Sequence, residues 1–435
     1  MKFFTFLFIL LLVFNVKSDE LYFPPIAGSD WDTLSLQSLN WCESKIDNLY
    51  NYLDENHTKA FIVLKDGKIV LEKYFGEFSK DSIWYWASAG KTLTAFMAGI
   101  AQQEGFLSVN DRTSKYLGDG WNSETQEQED KITILHQLTM TSGLDDGVKN
   151  SSCTEKSCLI YKADAGDRWA YHNAPYSLID SVIEVATNST MNNYVRKKLT
   201  LTTGITGGFI KLEDYNNVFF SKPRDFARFG LLILNKGNWA GNQIMADVTY
   251  FNNMTNTSQE LNKSYGYLWW LNGKEEFMLP GSQIKFKRTL MPSAPFDMIA
   301  GLGKNGQFVN IVPSQNLVLI RMGDSPENVP VPFLMNDSIW VFMNDLECTT
   351  DVNKNEENKI KIQIFPNPSS NQVNITTNNI ISSVIIYDTL GKTILQENPL
   401  MKQTNINIDS LPNGIYFIQI TLANGENFIK IIRKI

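Results

Sequence analysis

Ser88 and Lys91 stand three residues apart in the stretch Trp84-Tyr85-Trp86-Ala87-Ser88-Ala89-Gly90-Lys91-Thr92-Leu93. A serine hydroxyl is a weak nucleophile near neutral pH and needs a base positioned to take its proton. Residues three apart at the start of a helix share one face, so Lys91 can bring its amine beside the hydroxyl. The helix N-terminus also favours negative charge developing there. Further along, Tyr171-His172-Asn173 and Lys304-Asn305-Gly306 follow in the order that a Ser-Lys-Tyr acyl-transfer site requires.

These residue types carry distinct roles. Lys91 acts as general base if burial, or a nearby cation such as Lys304, lowers its pKa. Tyr171 acts instead as a phenolate or through Lys91, because cationic neighbours lower a phenol's pKa as well. Both routes fit the sequence. The Asn173 amide, donor and acceptor at once, is expected to hold Lys91 and the substrate carbonyl. The acyl oxygen needs two donors. The backbone N–H of Ser88 is one, and the other is expected where the strand after Gly306 begins, at the N–H of Gln307.

Other segments match the same short patterns, among them Ser282-Gln283-Ile284-Lys285, Tyr215-Asn216-Asn217 and Tyr250-Phe251-Asn252. Ser282 lies in a polar, alternating stretch without helical period, so its lysine would not stand above its serine. His57, His136 and His172 lack ligand spacing, which argues against a zinc site or a Ser-His-Asp triad; no metal or other cofactor is expected. No Gly-x-Ser-x-Gly elbow surrounds Ser88, since Trp86 occupies the first glycine position. Trp84, Tyr85, Trp86, Trp269 and Trp270 read as packing, with the lining of an acyl pocket as the alternative.

The elements that must hold this site come from both ends of the chain. Leu39, Cys42, Ile46, Leu49 and Leu53 share one face of an early helix, and Ile339, Phe342, Met343 and Leu346 one face of a late helix. Ala60–Leu64 and Lys68–Tyr74 alternate about Asp66-Gly67 as a hairpin. Leu93, Phe96, Met97 and Ile100 repeat at helical spacing, predicting a helix from Ser88 to Gly105 with a buried face. A mostly helical middle follows, with Ile179, Val182, Ile183 and Ala186 on one stripe and a run over 224–232. Strands return at Phe308–Val312 and Leu317–Ile320 about Pro313-Ser314. The pattern is an α/β sandwich, an antiparallel sheet flanked by helices with a mostly helical insertion.

With 435 residues and a net charge of −7, the chain is long enough for two or three domains and too acidic for a nucleic-acid or anionic-membrane partner. Residues 1–18, with Lys2 and an apolar run from Phe3 to Phe14, read as a cleaved signal peptide, and no later segment is apolar enough to span a bilayer. Four cysteines in an exported chain imply two disulfides, expected as Cys153–Cys158 and Cys42–Cys348. Residues 19–348 form the catalytic domain, the polar stretch 349–360 a linker, and 361–435, with short β-branched runs between Gly, Pro and Asn turns, a small β-sandwich.

Two resemblances extend this reading. Phe365-Pro366-Asn367-Pro368, Asp388-Thr389-Leu390-Gly391-Lys392 and Leu411-Pro412-Asn413-Gly414-Ile415-Tyr416 resemble the C-terminal sorting domain of the type IX secretion system. That resemblance implies passage through the type IX machinery to the cell surface or medium. The region from Trp41 to Glu347 resembles the class C β-lactamase and penicillin-recognising serine hydrolase superfamily. Ile132–Leu144, Tyr265-Gly266-Tyr267-Leu268-Trp269-Trp270 and Gly303-Lys304-Asn305-Gly306-Gln307 are similar to its branch of 6-aminohexanoate-oligomer hydrolases and esterases. This implies acyl-enzyme chemistry on a small ester or amide, with Ser88, Lys91 and Tyr171 in the roles above. In the third motif Asn305 stands where the family carries a hydroxyl residue, which weighs against recognition of a substrate carboxylate. The alternatives are a β-lactamase or D-alanyl-D-alanine carboxypeptidase, and a catalytically silent binder of peptidoglycan or peptide.

Overall fold

The structure is a computed structural model that describes residues 21–28, 30–212, 216–325, 331–348, 362–389 and 391–435. The expected signal peptide, the linker and Tyr215 lie outside the described residues. The chain divides into two compact units, Met1–Gly281 with Arg288–Glu347, and Ser282–Lys287 with Cys348–Ile435.

In the first unit, helix α1 (Glu43–Glu55) buries Ile46, Leu49 and Leu53. It leads into strands β1 (Thr58–Lys65) and β2 (Lys68–Tyr74), joined by Asp66 and Gly67, both at positive φ as a two-residue hairpin turn demands. The insertion then carries β3 (Trp84–Tyr85), α2 (Lys91–Gln103), α3 (Asn173–Thr187), β4 (Gly208–Leu212), β5 (Asn216–Ser221) and α4 (Pro223–Leu234). The chain returns through β6 (Trp270–Leu271), β7 (Ile299–Gly303), β8 (Gln307–Val312) and β9 (Leu317–Gly323) to α5 (Phe333–Asp345). The main sheet has the order β2-β1-β9-β8-β7-β6, with β1 paired antiparallel to β9 through Val63 and Leu319, so the two ends of the domain meet at its centre.

Successive strand residues point to opposite faces of a sheet, which fixes the layers. Val309 of β8 packs with Val318 against Gly230 of α4, where a side chain would collide with both valines. The next residue, Asn310, faces α5 instead and exchanges hydrogen bonds of 2.7 and 2.9 Å with buried Asn336. Helix α1 packs beside α5, with Tyr52 and Phe342 ring centroids 4.9 Å apart. Cys42, at the N-cap of α1, and Cys348 are both disulfide-bonded, and Cys153 is joined to Cys158.

The insertion is less helical than its periodicity suggests. It contains a second sheet in the order β3-β5-β4, in which Trp84 pairs with Ser221 and Phe209 with Phe219. A two-residue strand such as β3 is too short to show alternation, and its ladder partner is β5.

The second unit is built on strands at Ile362–Phe365, Gln372–Tyr387, Thr393–Glu397, Met401–Asn407, Gly414–Leu422 and Asn427–Lys434. The long strand Gln372–Tyr387 pairs with four of them: its first half with Ile362–Phe365 and Met401–Asn407, its second half with Thr393–Glu397 and Gly414–Leu422, while Asn427–Lys434 pairs with Gly414–Leu422. Val373, Ile375, Val384, Ile386, Ile418 and Ile420 alternate into one core.

Arg321 is the main polar element inside the sheet. It is fully buried, and its guanidinium donates to Thr58 Oγ1 and to the C=O groups of Asn305, Gly306, Asn56 and Asp324 at 2.6–3.0 Å. It thereby ties the turn between β7 and β8 to the start of β1. Arg321→Met is expected to leave those carbonyls unpaired and to lower unfolding free energy by roughly 3 kcal/mol or more, read as a lower urea midpoint at an unchanged m-value.

Candidate active site

Ser88 does not lie in the helix proper. Trp86 N–H donates to Phe219 C=O at 2.8 Å, continuing the β3–β5 ladder, and Ala87 then turns at φ 46° into a single 3-10 turn over Ala87–Gly90, from which α2 runs on. In a 3-10 turn residues i and i+3 eclipse. Lys91 therefore stands directly over Ser88, with Nζ and Oγ hydrogen-bonded at 2.8 Å.

Helix α2 is buried continuously from Lys91 to Ala101, so its first side chain is buried too. Lys91 retains 2% exposure and makes no ion pair among the described residues. Its Nζ lies 5.0 Å from the Tyr171 ring centroid and 4.0 Å from that of Tyr176. Burial pulls its pKa down to about 7. Lys304, expected to add positive charge, is exposed at the β7–β8 turn and has no part in that shift.

Tyr171 completes the contact, its hydroxyl being hydrogen-bonded to Ser88. Part of its surface stays accessible, yet burial of the hydroxyl raises its pKa far above the ordinary phenol value, which the Ser88 hydrogen bond only partly offsets. A phenolate at neutral pH is therefore disfavoured. The Tyr171 ring stacks on Trp270 at 5.8 Å, and Tyr265 and Trp169 enclose the pair. Trp270 thus belongs to the site wall, while Trp269 stacks on Phe229 in the core.

Helices α2 and α3 are locked by Asp180, whose carboxylate accepts from Thr94 Oγ1 at 3.0 Å and from Asn217 Nδ2 of β5 at 2.9 Å. Burial raises its pKa to about 7. Asn173, the first residue of α3, turns its amide nitrogen to Ser152 Oγ at 3.4 Å; no bond to Lys91 is present among the described residues. His172 between them is buried, and burial pulls its pKa down to about 4, leaving it neutral.

The third motif forms the β7–β8 turn. Asn305 adopts φ 62° and donates from Nδ2 to the Tyr85 hydroxyl at 2.7 Å. Gly306 adopts φ 79°, and a side chain there would strike Arg321. Gln307 pairs with Gly303 across the turn, and its fully buried amide bonds Gly323, tying β8 to β9. The strand that lies against Ser88 is β7: a Cβ on Gly303 would stand 2.6 Å from Trp86 C=O and 3.0 Å from Ala89 N.

Of the competing matches, Tyr250 is a core residue whose hydroxyl donates to Ala95 C=O at 2.6 Å. Ser282 is half-buried and accepts from Ile284 N–H at 3.1 Å. Tyr176 and Asp180 were not anticipated; their only prior signal was adjacency to Tyr171-x-Asn173. Tyr85, read from sequence as packing or pocket lining, is the hydrogen-bond partner of Asn305.

The profile of the beta-lactamase family matches residues 51–340, and that of the secretion system C-terminal sorting domain matches residues 363–434, which assigns the chain to type IX export and a surface or secreted location. An uncharacterised protein of Alkalihalophilus pseudofirmus is 25% identical over 303 residues, 61% of this chain and 83% of its own. Similar folds occur in a putative 6-aminohexanoate-dimer hydrolase from Bacillus anthracis (TM-score 0.54, 18% identity, 75% of this chain and 91% of that one). They occur also in a putative beta-lactamase from Bacteroides dorei (0.56, 18%, 70% and 99%). A penicillin-binding protein homologue from Caulobacter crescentus is a third (0.53, 10%, 70% and 98%).

Lys91 also makes stability depend on pH. Its folded pKa of about 7 lies below its unfolded value of about 10.4. Between these values the unfolded chain binds a proton that the folded chain does not, so this group adds stability as pH rises from 7 to 10. Lys91→Met is expected to raise the thermal midpoint relative to wild type by more at pH 6 than at pH 9, measured by calorimetry at both.

Proposed function

Because the chain belongs to the beta-lactamase family, we propose that it is a secreted serine hydrolase that cleaves an ester or amide through an acyl-enzyme on Ser88. The observation that carries this reading is the 2.8 Å contact between the Ser88 hydroxyl and a lysine whose pKa burial has brought to about 7. Of the two proton routes open from sequence, the depressed Lys91 and the elevated Tyr171 favour Lys91 as base.

In this mechanism the neutral Lys91 amine takes the Ser88 proton as Oγ attacks the carbonyl carbon. The oxyanion is received by Ser88 N–H and a second backbone donor. For that donor the β7 edge is better placed than Gln307, which is bound into the sheet interior. Asn272 N–H donates to Met298 C=O at 2.9 Å, so even-numbered residues of β7 face away from β8. Leu302 N–H, beyond the reach of β6, then becomes the second donor. When the tetrahedral intermediate collapses, Tyr171 gives its phenolic proton to the departing oxygen or nitrogen, and the Lys91 ammonium restores it. Water then attacks the acyl-enzyme with Lys91 again as base, and Ser88 leaves with the returned proton.

Asn305 bears on the substrate class. Its amide is committed to Tyr85, so the third motif has no hydroxyl to offer a substrate carboxylate. This favours neutral esters and amides over β-lactams and D-alanyl peptides.

A fluorophosphonate probe is expected to add its phosphonyl mass at Ser88 in wild type and not in Ser88→Ala, read by intact-mass and peptide analysis; an unlabelled folded wild type would refute the acyl-enzyme. Turnover of p-nitrophenyl esters should exceed that of nitrocefin. kcat/KM is expected to climb about tenfold per pH unit below 7 and level off above, as deprotonation of Lys91 requires. Tyr171→Phe should cost about 100-fold or more in kcat.

A further inference from the structure

Helix α3 begins at Asn173 without a side-chain cap from His172, so its first N–H groups need partners from elsewhere. One partner is a short loop. Ser151 C=O accepts the Ala174 N–H at 2.9 Å, and Ser152 Oγ accepts from Asn173 Nδ2 at 3.4 Å. The loop turns tightly on Asn150, whose Oδ1 accepts from Ser152 N–H at 3.0 Å and whose C=O accepts from Cys153 N–H at 3.1 Å. Its far end is anchored, because Leu159 is buried with Ile132, Leu144 and Ala174, and Leu159 C=O accepts Ser123 N–H at 2.9 Å. The Cys153–Cys158 disulfide connects the end that touches the motif to the end that is anchored.

We infer that Ser152 is a positioning residue of the acyl-transfer site, fixing the orientation of the Asn173 amide, and that the Cys153–Cys158 bridge holds Ser152 in place. The inference rests on the acyl-enzyme reading above. With its nitrogen engaged by Ser152, Asn173 retains only Oδ1, which is buried and has no partner among the described residues. An unengaged acceptor is what a Lys91 that has just received the Ser88 proton, or a substrate N–H, requires. Without Ser152 the amide is free to rotate and present its donor instead, which neither an ammonium nor an N–H can use.

The test is steady-state hydrolysis of p-nitrophenyl acetate and butyrate by the full-length protein. Ser152→Ala is expected to lower kcat/KM about five- to tenfold, the value of one neutral hydrogen bond, without moving the thermal midpoint, and Ser152→Thr to restore most of it. Ser152→Ala added to Asn173→Ala should cost nothing further. Cys153→Ser with Cys158→Ser should reproduce the Ser152→Ala loss; if that double variant unfolds, the Ser152–Asn173 cycle alone decides. Full activity in Ser152→Ala, or a loss that multiplies with Asn173→Ala, overturns the inference. A wild type that neither turns over the esters nor labels with fluorophosphonate overturns the acyl-enzyme reading and this inference together. A labelled, active wild type with an indifferent Ser152→Ala overturns this inference alone.

Discussion

The amine of Lys91 is buried against the hydroxyl of Ser88 with aromatic faces around it and, among the described residues, no carboxylate to balance it. A carboxylate partner would hold the lysine protonated and useless as a base, whereas burial alone penalises the charged form. Burial thus brings to near neutral pH a residue that ordinarily titrates above pH 10, which is what the proposed role of Lys91 as base requires. The cost is a fold that must bury a potential cation at its centre, and the surrounding structure is arranged to tolerate it.

That arrangement begins with α2, which is enclosed on every side and so forces its first residue out of water. The antiparallel pairing of β1 with β9 brings both ends of the domain together and leaves β7 lying on the Ser88 turn. Arg321 and Asp180 then act as internal clamps. Arg321 uses neutral oxygens to hold the β7–β8 turn, and Asp180 locks the helix of Lys91 to the helix that follows Tyr171. Neither touches the reacting atoms, but each sets the separation of elements that do. Such placement matters because acyl transfer is sensitive to errors on the order of 1 Å.

Family membership and a sorting domain define a hydrolase scaffold exported by the type IX route. They leave the substrate to the rim of the site, since one scaffold hosts many activities. On that rim, Asn305 bonded to Tyr85 and Trp270 stacked on Tyr171 give a wall that is aromatic and neutral. Lys304 is the exposed cation of the third motif and stays in solvent.

The order Ser88, Lys91, Tyr171, Lys304 and the terminal hairpins and helices were legible in the chain itself, because i+3 spacing, alternation and turn residues are local properties. The sorting phrases at the C-terminus were legible for the same reason. Tertiary structure alone decided how the two candidate bases are shifted. Burial of Lys91 depends on every residue packed around α2, and the opposite shift of Tyr171 depends on the aromatic cluster that encloses it. It also decided that Asn173 is turned to Ser152 and that β7, too short and glycine-rich to read as a strand, faces Ser88. A pKa and an amide orientation are set by neighbours distant in sequence, and no spacing rule within one segment encodes them.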